Sequence, residues 1–486
     1  AMMADLMEAA GSPTAVGWRV RVAQLEPQSA ERRFQWARTA LRARDFNAAS
    51  EALSGLDERA RKLADCHKLM GALHSGLERP VEAEKHFREA LRLEPGSLIT
   101  MLNLATLRLN STNAEVASLA RATLQQMGTN AEMRIVVLER LKTDAVFRQA
   151  FPEAIAYSDK LIREPRATID SRMDHLRLLR KTRSQDYEAY FKVLKEEGAR
   201  SSVAAYTLAR WMAMTDGPTN ALSWVRSLPP TIRTNEPVPL VVADCQILMK
   251  DWRGLLSLTE RTDWGQSEFY RLALLSLAQR SLNQKLAADA SWRKAFRQAD
   301  RRLDRLTWLL KVAENSGWKD ETAQVLREVT GTFPGEKWAL DRLTMHLYAA
   351  GDTRAIHLVL SKAHESNPAD PMLKNNLAYV CLLLGTDLNN AHRLVKEAFE
   401  QVPEDDSVLS TYAYSLFLQG KRDEAVSVAK RLKPEALKSP SVAACFSVIN
   451  ARAGNKSITK EPLLLAEAAR LLPEEKELVR QARASL

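Results

Sequence analysis

The chain has few of the residues that interrupt helices or crosslink loops. Its 486 residues include 18 Gly, 19 Pro and 4 Cys. So little Gly and Pro leaves no room for long linkers, and no low-complexity tract is present. Cys66, Cys245, Cys381 and Cys445 are isolated in the sequence, which excludes a CxxC motif and Cys/His spacing for zinc. We predict no metal site and no cofactor, and this cysteine usage fits a reducing compartment.

Long apolar runs and catalytic motifs are also missing. No run approaches the roughly 18 apolar residues of a membrane-spanning helix, so we predict no membrane insertion within this segment. The sequence contains no GxGxxG, GxxxxGK[ST] or GxSxG motif and no kinase signature, and none of its eight His lies in an HExxH motif. We therefore predict that the protein is not an enzyme and that its histidines are structural.

Basic residues outnumber acidic residues, which gives a formal net charge of +10. Two groups of basic residues contribute to it: Arg177, Arg180, Lys181 and Arg183, and Arg297, Arg301, Arg302 and Arg305. Acidic residues such as Asp300 and Asp304 lie among them, which favours a solvated helix face. The alternative is a stripe that binds nucleic acid or another polyanion.

The most informative pattern is a period of about 34 residues, which is typical of stacked helix-turn-helix units. Pro334 and Pro368 are one period apart, and Pro403 follows one residue late. Residues at fixed offsets before Pro95 recur in other periods: Gly71, Ala83, Phe87 and Ala90. A fold of this kind offers extended surface in place of a catalytic pocket.

The segment 69–95 resembles the tetratricopeptide repeat (TPR), whose pattern is W-x2-L-G-x2-Y, then A-x3-F, then A and P. Its matching positions are Met70, Gly71, Ala83, Phe87, Ala90 and Pro95, while His67 and His74 stand in place of the Trp and the Tyr. Segments 375–403 and 410–425 resemble the same pattern. The resemblance implies an all-α fold, a right-handed superhelical α-solenoid of about thirteen TPR-like helix-turn-helix repeats.

We predict repeat starts near residues 30, 64, 98, 132, 168, 202, 236, 269, 303, 337, 371, 406 and 440, with the register left open over 112–200. The resulting segments are 1–29 (a truncated first repeat, the end of helix A plus helix B, with a turn at 11–13), 30–131 (the clearest TPR repeats), 132–201 (divergent helical pairs), 202–473 (TPR repeats) and 474–486 (a C-terminal capping helix). Because the chain starts inside a repeat, we expect it to be a fragment of a longer protein.

The family resemblance also implies candidate binding residues, because the first helix of each TPR lines the concave groove. Asn103 and Asn376 fall at a position that is often Asn in the family, and an Asn amide can both donate to and accept from a peptide backbone. Exposed groove aromatics are typical binding anchors. The remaining candidates are Trp308, Trp338, Tyr348, Asn375, Tyr379, Tyr414 and Phe417.

These observations predict a non-catalytic scaffold or adaptor that binds a protein or peptide partner in the concave groove. The chain resembles bacterial multi-TPR proteins of envelope or regulatory assemblies. Two alternatives stay open: a basic solenoid that binds nucleic acid or another polyanion, and a structural spacer of a larger membrane-tethered protein. The default location for this segment is the cytoplasm, with an exported or membrane-anchored parent protein as the other option. The sequence does not identify the partner or the oligomeric state.

Overall fold

The computed structural model describes residues 2–9, 15–260 and 264–486, and within these ranges the chain is helical and contains no strand. Contacts group the chain into two compact units, Ala1–Val238 and Pro239–Leu486. In the described ranges, no helix has both the length and the apolar character needed to cross a membrane. The predicted all-α fold class is confirmed.

In chain order the helices are α1 (Met2–Ala9), α2 (Ala15–Leu25), α3 (Ala30–Arg42), α4 (Phe46–Ser54), α5 (Glu58–Arg61), α6 (Ala64–Gly76), α7 (Pro80–Leu93), α8 (Leu98–Leu109), α9 (Ala114–Met127), α10 (Arg134–Phe147), α11 (Phe151–Ile162), α12 (Ile169–Lys181), α13 (Tyr187–Gly198), α14 (Ser202–Thr215), α15 (Pro218–Ser227), α16 (Pro230–Arg233), α17 (Val238–Leu248), α18 (Trp252–Glu260), α19 (Glu268–Ser281), α20 (Lys285–Gln298), α21 (Leu303–Asn315), α22 (Lys319–Thr332), α23 (Lys337–Ala350), α24 (Thr353–Ser366), α25 (Pro371–Leu384), α26 (Leu388–Gln401), α27 (Asp406–Leu418), α28 (Arg422–Ala429), α29 (Pro440–Arg452), α30 (Lys456–Ala468) and α31 (Pro473–Ala484).

These helices form thirteen consecutive pairs in the described part of the chain, and we number the pairs as repeats 1 to 13. The first helices, called helix A, are α3, α6, α8, α10, α12, α14, α17, α19, α21, α23, α25, α27 and α29. Each begins close to its predicted start. The largest difference is at α10 and α17, which begin at Arg134 and Val238 where 132 and 236 were predicted. The division of the chain into repeat groups stays a prediction.

The segment before repeat 1 contains two helices that pack against each other, α1 and α2. The turn predicted between them, at residues 11–13, lies outside the described residues. Arg19 on α2 pairs with Asp5 and Glu8 on α1, and Glu8 also accepts a hydrogen bond from Thr39 on α3. These contacts join the first two helices to repeat 1.

The turn between the two helices of a repeat has a residue with positive φ in most repeats. Glycine occupies this turn at Gly317, Gly351, Gly385 and Gly420, where φ is 67°, 73°, 66° and 78°. The same place in other repeats holds a residue other than glycine with positive φ: Arg44, Glu78, Gln149, Arg183, Lys250 and Asn283. The backbone conformation therefore recurs even where the glycine that favours it is absent.

Close packing between helix A and helix B depends on small residues. A larger side chain at such a position would clash with the large side chain packed against it from the other helix. A Cβ atom placed on Gly71 would lie 2.6 Å from the ring of Phe87, which is buried. Between the second helices of repeats 5 and 6, a Cβ atom on Gly198 would lie 2.9 Å from the ring of Trp224. The small residues of helix B named by the TPR pattern, such as Ala83 and Ala391, have no exposed surface.

Candidate partner-binding surfaces

An open aromatic cleft lies along the first helices of repeats 7, 8 and 9. We call it the Trp308 cleft, and its volume is about 640 Å³. Its lining residues come from α17, α19 and α21, from the start of α18 and from the turn after α21: Asp244, Ile247, Trp252, Tyr270, Leu274, Leu277, Arg280, Ser281, Trp308, Lys311, Val312, Asn315, Ser316 and Trp318. The walls are thus a mixture of aromatic, aliphatic and charged side chains from three consecutive repeats.

Trp308 is the most exposed aromatic of this cleft, with 49% of its surface accessible. Its ring centroid is 5.2 Å from that of Tyr270, and the Lys311 ammonium lies 5.0 Å from the Trp308 ring. Contacts with a second ring and with a cation restrict the orientation of the Trp308 indole before any partner arrives. A large apolar surface fixed in this way resembles the anchor residues that dominate protein interfaces.

A second aromatic surface lies on repeats 10 to 13, and the chain itself covers it. We call it the tyrosine groove, and it is formed by Tyr348 on α23, Tyr379 on α25 and the adjacent face of α29. Helix α31 packs against α29, α30 and α25. Its buried residues are Glu475, Leu478, Val479 and Ala482. Helix α31 therefore covers the face to which the sequence analysis assigned a partner.

The carboxylate of Glu475 is the centre of this contact. The Tyr348 hydroxyl donates to its Oε2 atom at 2.5 Å, and the Tyr379 hydroxyl donates to its Oε1 atom at 2.7 Å. The backbone N–H of Leu472 donates to Oε2 at 2.9 Å. Burial raises the pKa of both tyrosines, so their hydroxyls keep their protons and act as donors. Glu474 accepts a further hydrogen bond from Thr353.

Two of the groove candidates are not exposed in this arrangement, which corrects the expectation that they line an open wall. Tyr414 is 4% exposed and Asn375 is 2% exposed. Tyr414 belongs to the core of the second unit and stacks on Phe417, which is partly buried. Asn375 donates to the side chain of Asn376 at 3.2 Å, and only Asn376 faces solvent. The binding role of these residues stays a prediction.

The other candidates lie apart from both surfaces. Asn103 is partly buried on α8 in the first unit. Trp338 is partly buried on α23, and its indole N–H donates to Glu336 at 2.6 Å. Neither residue lines the Trp308 cleft. The structure therefore does not gather the sequence candidates into one site; it separates Trp308 from the tyrosines.

Half of the residues in the basic clusters are paired with acidic residues. In the first cluster, Arg177 pairs with Asp174 and Arg180 with Asp216, both at 2.8 Å. In the second cluster, Arg301 pairs with Glu328 at 2.9 Å, and Arg302 with Asp304 at 3.1 Å. A phosphate backbone would have to compete with these carboxylates, so the arrangement favours the solvated-face interpretation.

One cluster of histidines was not anticipated from the sequence. Nδ1 of His67 lies 3.0 Å from Nδ1 of His86, and the ring of His74 stacks on His86 at 5.4 Å. Burial, together with the nearby His67, His74 and Lys85, lowers the pKa of His86. The sequence contained a signal for this cluster, because His67 and His74 replace the Trp and the Tyr of the TPR pattern. In the structure both histidines lie against His86. Over the described residues, no group of three or more His, Cys, Asp or Glu is placed to hold a metal ion.

The helix pairs and their packing define an all-α protein of TPR-like repeats. A scan against protein-family models gave no match, and neither did a search of curated proteins.

Many solved structures are similar to the chain, and three of them are described. One is titled as Naa15/Naa10 bound to HypK-THB (14% identity, TM-score 0.31, 100% of this chain and 78% of that chain). Another is the APC/C hetero-tetramer Cut9-Hcn1 (12%, 0.26, 85% and 92%). The third is a tetratricopeptide repeat protein from Parabacteroides merdae (15%, 0.28, 50% and 97%). The description of the fold is based on the helix pairs of this chain.

Proposed function

We propose that the protein is a non-catalytic scaffold that binds a protein or peptide partner at the Trp308 cleft. The observation that carries this proposal is the half-exposed Trp308, which contacts Tyr270 and Lys311 in a cleft that three consecutive repeats line. Leaving so much indole surface in water is unfavourable in the absence of a partner. A partner's apolar side chain would remove that surface from water.

The cleft's floor and rim indicate the kind of partner segment that fits. Leu274, Leu277 and Val312 offer an apolar floor, while Arg280 and Lys311 lie among the lining residues. Arg280 is already paired with Asp289 and Glu321, so its charge is satisfied within the chain. The ligand we expect is therefore a segment with one or two large apolar side chains, recognised mainly by burial of area.

The test is affinity capture from nuclease-treated lysate with three immobilised full-length chains: wild type, Trp308→Ala and Leu286→Ala. Leu286 is a matched control because it is also an exposed apolar residue, 87% accessible, but lies on α20 away from the cleft. We expect a protein that the wild type and the Leu286→Ala chain retain equally and that Trp308→Ala retains at least about tenfold less. Equal retention by all three chains would place the binding surface elsewhere.

A further inference from the structure

The tyrosine groove has the features of a recognition site for a helix, and these features are independent of the Trp308 cleft. The buried residues of α31 are Glu475, Leu478, Val479 and Ala482. Their spacing is i, i+3, i+4 and i+7, which is the pattern by which an amphipathic helix docks into a groove. The helix thus binds through one stripe while its other faces remain in solvent.

The position of α31 differs from that of a helix that only extends the stack. A further repeat would contact the repeat before it, because each unit of a solenoid meets its neighbours. Helix α31 instead also bonds to Tyr348 and Thr353, which lie 127 and 121 residues earlier in the chain. It crosses the first helices of repeats 10, 11 and 13, as a ligand laid over several repeats would.

The anchor of the contact is polar and carries no compensating cation. Glu475 is fully buried, and its three donors are two tyrosine hydroxyls and one backbone N–H. Among the described residues, no Lys, Arg or His forms an ion pair with it. A buried carboxylate with neutral donors contributes specificity at a high cost of desolvation, so the contact selects a ligand that carries this carboxylate.

Helix α31 is also short and joined by a short connection. It has 12 residues, and an isolated helix of that length is marginal in water. Ala469 to Leu472 link it to α30, and Arg470 in this linker is exposed. Because the linker keeps the helix beside the groove, the contact stays occupied through its high effective concentration.

We propose that α31 is an intramolecular ligand and that the tyrosine groove is a docking site for a partner's amphipathic helix of the same chemistry. That helix carries glutamate in its first turn and apolar residues three and four positions further on. The partner helix gains access by displacing α31, so the groove is closed until such a helix is present at sufficient concentration.

The experiment uses the full chain with a protease site inserted between Ala469 and Arg470. After cleavage, the segment 470–486 is held only by non-covalent contacts. The probe is a fluorescent peptide of residues 470–486, and its binding is followed by anisotropy before and after cleavage. We expect weak binding to the uncleaved chain and binding at least about tenfold tighter once the cleaved segment can leave. A peptide carrying Glu475→Ala should bind about tenfold to a hundredfold more weakly, since it lacks the carboxylate that the tyrosines contact.

A second variant keeps the test decisive if the insertion disturbs folding. Tyr348→Phe with Tyr379→Phe removes both hydroxyl donors with almost no change of volume. Its uncleaved form should show faster hydrogen exchange over 473–484 and stronger binding of the wild-type peptide. Tyr412→Phe is the matched control, because Tyr412 is a partly buried tyrosine on α27 that stacks on Phe399.

Three results would overturn the proposal. The first is a cleaved segment that no amount of peptide displaces. The second is loss of helical signal in repeats 10 to 13 when the segment leaves, because α31 would then be a permanent cap. The third is a stable dimer that exchanges α31 between two copies, which would make the occupant a second copy of this chain. None of these results bears on the Trp308 cleft, whose test uses a different residue and a different ligand.

Discussion

At the scale of single residues, the packing of TPR-like helices depends on a few positions where only a small side chain fits. Gly71 is the clearest example, since a Cβ atom there would lie 2.6 Å from the Phe87 ring. Phe87 is itself 2% exposed, so its ring has no free space into which to move. The sequence indicated both residues, because each occupies a signature position of the repeat.

We expect Gly71→Ala to destabilise the chain by about 1–3 kcal/mol through this overpacking. The measurement is the urea unfolding midpoint. Gly96→Ala is the control, because a Cβ atom on Gly96 would meet no atom within 4 Å. Adding Phe87→Leu to Gly71→Ala should recover part of the loss. A Gly71→Ala chain as stable as the Gly96→Ala chain would show that the two helices are not in close contact here.

The histidine cluster makes a prediction about pH. The pKa of His86 is lowered by burial and by nearby positive groups, so between this lowered value and about 6.5 the unfolded chain binds a proton that the folded chain excludes. The contribution of His86 to the free energy of unfolding is therefore fully present above about pH 6.5 and is lost as the pH falls below that value. We expect the drop in Tm between pH 7.5 and pH 5.5 to be smaller for His86→Gln than for wild type.

The control for this measurement is His346→Gln, since His346 lies on α23 outside the cluster. Its Tm should fall with pH as the wild-type Tm does. If the Tm of the His86→Gln chain depends on pH as the wild-type Tm does, the short Nδ1–Nδ1 contact between His67 and His86 does not contribute to the pH dependence of stability.

At the scale of helices, the turn between helix A and helix B is set by backbone conformation. Gly420 has φ of 78°, and a Cβ atom on it would meet no atom within 4 Å, so any cost of Gly420→Ala is conformational. We expect a loss of about 1–2 kcal/mol, seen as a lower urea midpoint. Gly335→Ala is the control, because Gly335 is equally open but does not have positive φ. Equal midpoints for the two variants would contradict the assignment of strain to this turn.

Helix positions could be predicted from the sequence because the interactions that set them are local. A period of about 34 residues, with small residues at fixed offsets, locates each helix A, and even the divergent α10 and α12 begin within two residues of the predicted starts at 132 and 168. Residues other than glycine with positive φ, such as Lys250, were not predicted. Their residue type does not indicate this conformation, because the neighbouring helices impose it on the turn.

The occupant of the tyrosine groove could not be predicted from the same pattern. Periodicity tells which helices are neighbours along the chain, whereas Glu475 meets Tyr348 across 127 residues. The polar character of segment 474–486 indicated a capping helix, and the stripe of Glu475, Leu478 and Val479 was the only signal of a binding face. The sequence analysis expected Tyr414 to be exposed in the groove, whereas its side chain is buried.

At the scale of the molecule, the excess of positive charge does not by itself define a polyanion site, because half of the residues in the basic clusters are paired with carboxylates. We expect the full chain to bind duplex DNA no more tightly than micromolar at physiological salt, the range of non-specific binding. Partner binding should change little with salt, since it depends on apolar area. Submicromolar DNA binding that weakens steeply with added salt would contradict this prediction and restore the polyanion alternative.

The most direct test of the central claim is hydrogen exchange of the full chain with and without the protein captured in the affinity experiment. The account predicts slower exchange on binding in α17, α19 and α21, centred on Trp308, with no comparable change on the repeats outside the cleft. Protection confined to other repeats, with these three helices unchanged, would contradict the assignment of the Trp308 cleft as the partner-binding surface.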